Sequence, residues 1–160
     1  MNAKNVKNLS VLILSAFLVL TACKPDPPST KTKTDLITAA PWKFSQAGID
    51  QNGDGTIDFP LPGALLQACA TDNILTFNKD QSGTVDEGAT KCSTTTPQMV
   101  PFNWKFLSNE TELDFSTTIF AGLGGTVKLV QLTEEKMAIS KPVPITGFPI
   151  PVVVTVILVH

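Results

Sequence analysis

Residues Asp50-Gln51-Asn52-Gly53-Asp54-Gly55-Thr56-Ile57-Asp58 have the types and spacing of the first nine positions of an EF-hand-type calcium loop. Calcium is a hard cation and takes oxygen ligands. Asp50, Asn52 and Asp54 supply side-chain oxygens at alternate positions. Gly55 permits the sharp turn, Thr56 offers its backbone carbonyl, Ile57 packs inward, and Asp58 sits where a ligand often acts through water. The twelfth position holds Leu61 instead of a bidentate glutamate. A calcium ion would therefore need water or a carboxylate from elsewhere, with Asp35 and Asp72 as candidates. The same residues also make a polar Asx-Gly turn without an ion, and both readings stand at this level. Calcium is the one cofactor the sequence suggests. A fainter echo at Asn78, Asp80, Ser82, Gly83, Thr84 and Asp86 is fully explained by a tight hairpin.

Catalytic chemistry has little to work with. The one histidine is His160, the last residue given, and tyrosine is absent. Ser-His pairs and histidine metal triads need more than this. Gly122, Gly124 and Gly125 lack the lysine and serine of a phosphate loop. Glu112 and Asp114 alternate with Leu113 and Phe115, which places the carboxylates on a solvent face. No catalytic residue is assigned, and the chain is expected not to be an enzyme. All twelve basic residues are lysines against fourteen acidic residues, and there is no arginine. That balance argues against nucleic acid as a partner and against bidentate phosphate recognition.

These residues need an address as well as a scaffold. Lys4 and Lys7 precede the apolar run from Leu9 to Leu20, the layout of a secretory signal. The run is about a dozen residues, short of the roughly 20 that span a bilayer. It ends in Leu20-Thr21-Ala22-Cys23, which resembles a bacterial lipobox. The resemblance implies cleavage before Cys23 and lipidation of its thiol, with residues 1–22 as signal peptide. Two or three acyl chains would then anchor the protein to a membrane, since each buried methylene contributes about 0.8 kcal/mol. The expected location is the cell envelope, at the outer membrane on its periplasmic or surface face. With the signal gone, two lysines leave and no acidic residue does, so the remaining side chains carry a net charge of −4. Residues 23–34, rich in Pro, Thr and Lys, read as a flexible tether. Residues 35–160 are enough for one domain with a core.

If Cys23 carries lipid, Cys69 and Cys92 remain as an even pair in an oxidising compartment, and a disulfide between them is expected. Closing that loop contributes about 3 kcal/mol in the chain-entropy model.

The domain reads as β. Asp35 to Ala40 suits a short helix ended before Pro41. Beyond it, Trp42 to Ala47 alternates, with Trp42, Phe44 and Gln46 on one face. Ile74 to Phe77 and Gly83 to Gly88 flank a hairpin loop. Phe102 to Phe106, Glu112 to Ser116, Thr126 to Leu132, Lys136 to Ser140 and Val152 to Val159 follow as strands. The connection Gln51 to Thr71 carries a candidate helix at Gly63 to Ala70, and the Pro-rich stretch Pro142 to Pro151 must be a loop or an edge. About eight short strands punctuated by turns predict an all-β domain, a small antiparallel barrel or sandwich. Closure into a barrel would also remove the edge that Val152 to Val159 presents.

Several elements, in order, carry a resemblance: Pro41-Trp42-Lys43-Phe44, the stretch Cys69 to Phe77, the loop Asp80 to Thr84, Cys92, Asn103-Trp104-Lys105-Phe106, and Val130 to Thr133. Together with the lipobox they resemble the lipocalin-like lipoproteins of gram-negative bacteria. The resemblance implies a lipocalin-like β-barrel of about eight strands. Trp42, Phe44, Phe77, Trp104 and Phe106 are then candidates to line a ligand cavity, or to fill the core of a barrel just wide enough for its own side chains. The expected function is binding of a small apolar ligand in the envelope. The alternative is a structural or protein-interaction module with a filled barrel and a calcium-clamped loop.

Overall fold

The computed structural model describes residues 30–61, 66–120, 123–145 and 147–160. The expected signal peptide, Cys23 and most of the expected tether lie outside the described residues.

The chain enters the domain through a short helix, α1 (Lys33–Ile37). It starts two residues before the expected stretch, because Thr32 caps it. The Thr32 hydroxyl accepts from Asp35 N, and the Asp35 carboxylate accepts from the Thr32 backbone, a reciprocal capping box. The strands are β1 (Trp42–Ile49), β2 (Phe59–Pro60), β3 (Ile74–Phe77), β4 (Ser82–Asp86), β5 (Met99–Leu107), β6 (Glu112–Phe120), β7 (Leu123–Leu132), β8 (Lys136–Val143) and β9 (Val152–Val159). Strands β3 to β9 pair each with the next, β3 pairs with β1, and β9 returns to β1, so the sheet closes into an antiparallel barrel. The short β2 is an extra strand on the end of β1, pairing at Gly48 and Ile49. The expected all-β antiparallel barrel is the fold. Closure runs from Lys43↔Val159 to Ile49↔Val154 and leaves β9 with no free edge.

Two sequence expectations need correction. Gln46 does not share a face with Trp42, because the ladder slips between Phe44 and Gln46 and turns Gln46 out to solvent. No α-helix forms over Leu66–Ala70. That stretch contains only a 3₁₀ turn at Ala68–Ala70, and residues 62–65 lie outside the described set.

The barrel interior is packed. Trp42, Leu75, Phe77, Phe102, Trp104, Leu113, Phe115, Phe120, Met137, Val156 and Leu158 belong to one buried cluster. Alternation explains it: on β3 and β5 every second residue points inward. The two ends of the barrel differ. At one end α1 lies across the turns. Lys79 pairs with Asp35 at 2.7 Å, Lys31 pairs with Glu134 at 2.8 Å, and Lys33 donates to the Glu110 carbonyl. Ile37 enters the core from α1, and the Trp42 indole donates to its carbonyl at 2.9 Å. Antiparallel pairing directs the other ends of the strands, Ile49, Ile74, Asp86, Met99, Val143 and Val152, toward the opposite mouth, staggered so that Ile74 pairs with Lys43 and not with Ile49. The long loops emerge there.

Candidate functional site: the barrel mouth

The calcium-like loop Asp50–Asp58 leaves β1 at the mouth and lies against the outside of the barrel. A Cβ added at Gly55 would meet Val130 at 2.8 Å and Ala138 at 3.9 Å, so this glycine, at φ +87°, lets the loop backbone rest on β7 and β8. Asp50 is fully buried. Its Oδ1 accepts from Gly53 N at 2.7 Å and Asp54 N at 3.2 Å. Its Oδ2 accepts from Gly55 N at 2.8 Å and from the Thr155 hydroxyl at 3.1 Å. Asn52 Oδ1 accepts from Asp54 N, Asp54 accepts from Thr56 N and from the Asn52 amide, and Asp58 accepts from Gln51 N. These bonds are those of the Asx-Gly turn. The bonds to Thr56 hold the Asp54 carboxyl below its usual range, helped by Asn52. Asp35, one of the proposed extra ligands, is committed to Lys79 and the α1 cap. Asp72, the other, accepts from Thr90 N. Among the described residues no group of three or more His, Cys, Asp or Glu is arranged to hold a metal ion.

The loop has a structural consequence. Val152 to Val159 is apolar on both faces, which suits a strand covered on both sides. Val156 and Leu158 face the core, while Thr155 beneath the Asp50 loop is completely buried on the outer side. A polar loop thus seals one outer face of the barrel by a single buried carboxylate.

The aromatic candidates lie in or against the core. Phe77 stands edge-on to Phe102 and Trp104, with ring centroids at 5.4 and 5.5 Å, and 6.1 Å from Phe115. Phe106 stands perpendicular to Trp104 at 5.4 Å, and Phe44 packs on Phe120 at 5.9 Å. The Trp104 indole donates to the Ser82 carbonyl at 3.0 Å. Edge-to-face contact at these distances is favourable. Of the two alternatives for these side chains, the arrangement matches a filled core.

An apolar groove does exist, elsewhere. It is an open groove of about 860 Å³, lined chiefly by Ile49, Phe59, Pro60, Phe148, Ile150 and Val152. Phe59 is 51% exposed, Phe148 48% and Ile150 70%. The fourth exposed large apolar side chain among the described residues, Met99, also stands at the mouth, where β5 begins. Among the described residues Gln51 is the one polar side chain in the lining. None of these groove residues was a candidate from sequence. The signal available was the absence of charge: Phe59 to Thr71 and Pro142 to Val159 contain no Asp, Glu, Lys or His.

The predicted disulfide is present. Cys69 and Cys92 are bonded, with Cα atoms 5.1 Å apart, and join the loop before β3 to the loop after β4. His160 stacks on Trp42 with ring centroids 3.8 Å apart, and its Nδ1 lies 3.2 Å from the Pro41 carbonyl oxygen. It packs at the closed end, away from the mouth. Asp114 accepts from Thr126 and Glu112 from Ser108, both in surface bonds. No described helix is long and apolar enough to cross a membrane.

Fold and site together define a small closed antiparallel β-barrel, plugged by its own side chains and capped at one end, with an apolar groove at its mouth. Compared with protein-family models and with curated proteins, the chain matches none.

Proposed function

We propose that this protein is a lipid-anchored, lipocalin-like protein of the cell envelope that binds a small apolar molecule in the groove at the barrel mouth. The observation that carries this reading is the convergence of Phe59, Phe148 and Ile150, all exposed, on one groove. Leaving apolar surface in water costs about 25 cal/mol per Å², and a cluster of such residues marks an interaction site. The groove volume falls within the range of small-molecule sites, about 300 to 1,000 Å³. Lipid anchoring rests on the lipobox-like Leu20 to Cys23, and the lipocalin-like character on the ordered motifs together with the barrel.

Native mass spectrometry of the full chain from its own host tests for a co-purified apolar molecule. A neutral fluorescent naphthylamine supplies the probe for the site. The double variant Phe148→Ser, Ile150→Asp is expected to weaken its binding at least about tenfold with an unchanged melting midpoint, since both side chains are solvent-facing. Probe binding that survives this double substitution would remove the groove as the ligand site. The filled interior favours a second reading, in which the same groove takes an apolar segment of a partner protein. Photo-cross-linking from position 150 in cells separates the two: a protein adduct supports the partner, a small-molecule adduct the ligand.

A further inference from the structure

The apolar groove offers an occupant no charge. Among its described lining residues none is Asp, Glu, Lys or His. Residues 59–71 and 142–159, which build most of its wall, contain none of these either. The backbone around it is largely spent within the protein. The Gln51 N–H donates to Asp58 at 2.8 Å, and the Phe148 N–H to the Ile145 carbonyl at 3.1 Å. The Ile49 carbonyl accepts from Asp58 N at 2.9 Å, and the Val153 carbonyl from Asp50 N at 3.0 Å. Pro60 and Pro151 have no N–H to give. Asp58, although bonded to Gln51 N, does not line the groove.

The Gln51 side chain is exposed and is the polar one in the described lining. Its amide can both donate and accept, so it suits a neutral hydroxyl or carbonyl group. The rest of the wall suits hydrocarbon. A charged head group drawn into the groove would lose water and meet no counter-charge, which costs far more than placing an uncharged one there. A carboxylate on the same hydrocarbon is therefore discriminated against.

We propose that the groove selects an uncharged molecule, a hydrocarbon body carrying one hydroxyl or carbonyl group, and that Gln51 binds that group. This selectivity rests on the groove being the ligand site and adds the class of ligand it takes. Free fatty acids and other anionic amphiphiles fall outside the class.

The test is displacement of the neutral naphthylamine from the full chain at neutral pH by dodecanol and by dodecanoate, which share one chain and differ in head group. Dodecanol is expected to displace it at a concentration at least about tenfold lower. In Gln51→Leu, dodecanol should weaken about fivefold, while dodecyl chloride, which has no hydroxyl, is unchanged. Gln51→Lys places a counter-charge in the lining and should tighten dodecanoate about tenfold, again with dodecyl chloride unchanged. Neither substitution should move the melting midpoint, because the side chain is exposed. Dodecanoate that displaces the naphthylamine as readily as dodecanol, or that gains nothing in Gln51→Lys, overturns the selectivity and leaves the groove as the ligand site. Equal effects of Gln51→Leu on dodecanol and dodecyl chloride overturn the role of Gln51. Naphthylamine that does not bind at all removes the groove as the ligand site, and the selectivity falls with it.

Discussion

Asp50 is the side chain on which the outer cover of the barrel depends. Three backbone N–H groups and the Thr155 hydroxyl converge on it in a fully buried position. Removing the carboxylate strands those donors, and unsatisfied buried polar groups cost about 1 to 3 kcal/mol. Asp50→Ala is therefore expected to lower unfolding stability by about 2 to 4 kcal/mol, read by urea denaturation; a loss within error of zero would show that the loop does not seal β8 and β9. The motif Asp-x-Asn-x-Asp-Gly was legible in sequence, and so was the Asx-Gly turn as one of its meanings. Which surface the turn would cover was not. Thr155 lies 105 residues away in the chain, and nothing local marks it as a hydrogen-bond partner.

At the scale of the element, α1 shows how a five-residue helix is kept. A helix this short is unstable alone, so its caps and its packing must hold it. Asp35 serves both: it closes the capping box and pairs with Lys79. The Lys79 hydrogen bond, with those from Thr32, lowers its pKa from 3.8 to about 2. A depressed folded-state value means that the ionised form is favoured in the native state. The contribution is present above pH 3.8 and is lost as pH falls toward about 2. Titration of Asp35 by NMR should give its midpoint near the lower figure, and the chemical shift of the Trp42 indole N–H, bonded to Ile37, should follow it. A midpoint near 3.8 would show that the box does not form in solution. Helix and strands were legible from alternation and from turn residues. The slip beyond Phe44 was not, because a bulge is a property of the paired ladder and not of one strand's own pattern.

For the whole molecule, the barrel has one capped end with ion pairs and one mouth with exposed apolar side chains. Its middle is aromatic and filled, so enlarging it should be costly. Phe77→Ala removes the ring shared by Phe102, Trp104 and Phe115 and is expected to cost about 3 to 5 kcal/mol. A cost below about 1 kcal/mol in chemical denaturation would indicate an interior already loose enough to admit a ligand. The sequence by itself determined the strand pattern, the all-β class and the antiparallel barrel as one of its outcomes. Side-chain alternation and turn chemistry act over a few residues, and those are readable in a single chain. It also determined that Cys69 and Cys92 would pair if Cys23 was otherwise used. Only the tertiary structure decided that the aromatic rings meet in the centre instead of lining a cavity, and that Phe59 and Ile150 meet at the mouth. Both outcomes depend on distances between residues far apart in sequence. Burial is set by what the closed sheet brings together, and no local pattern encodes it.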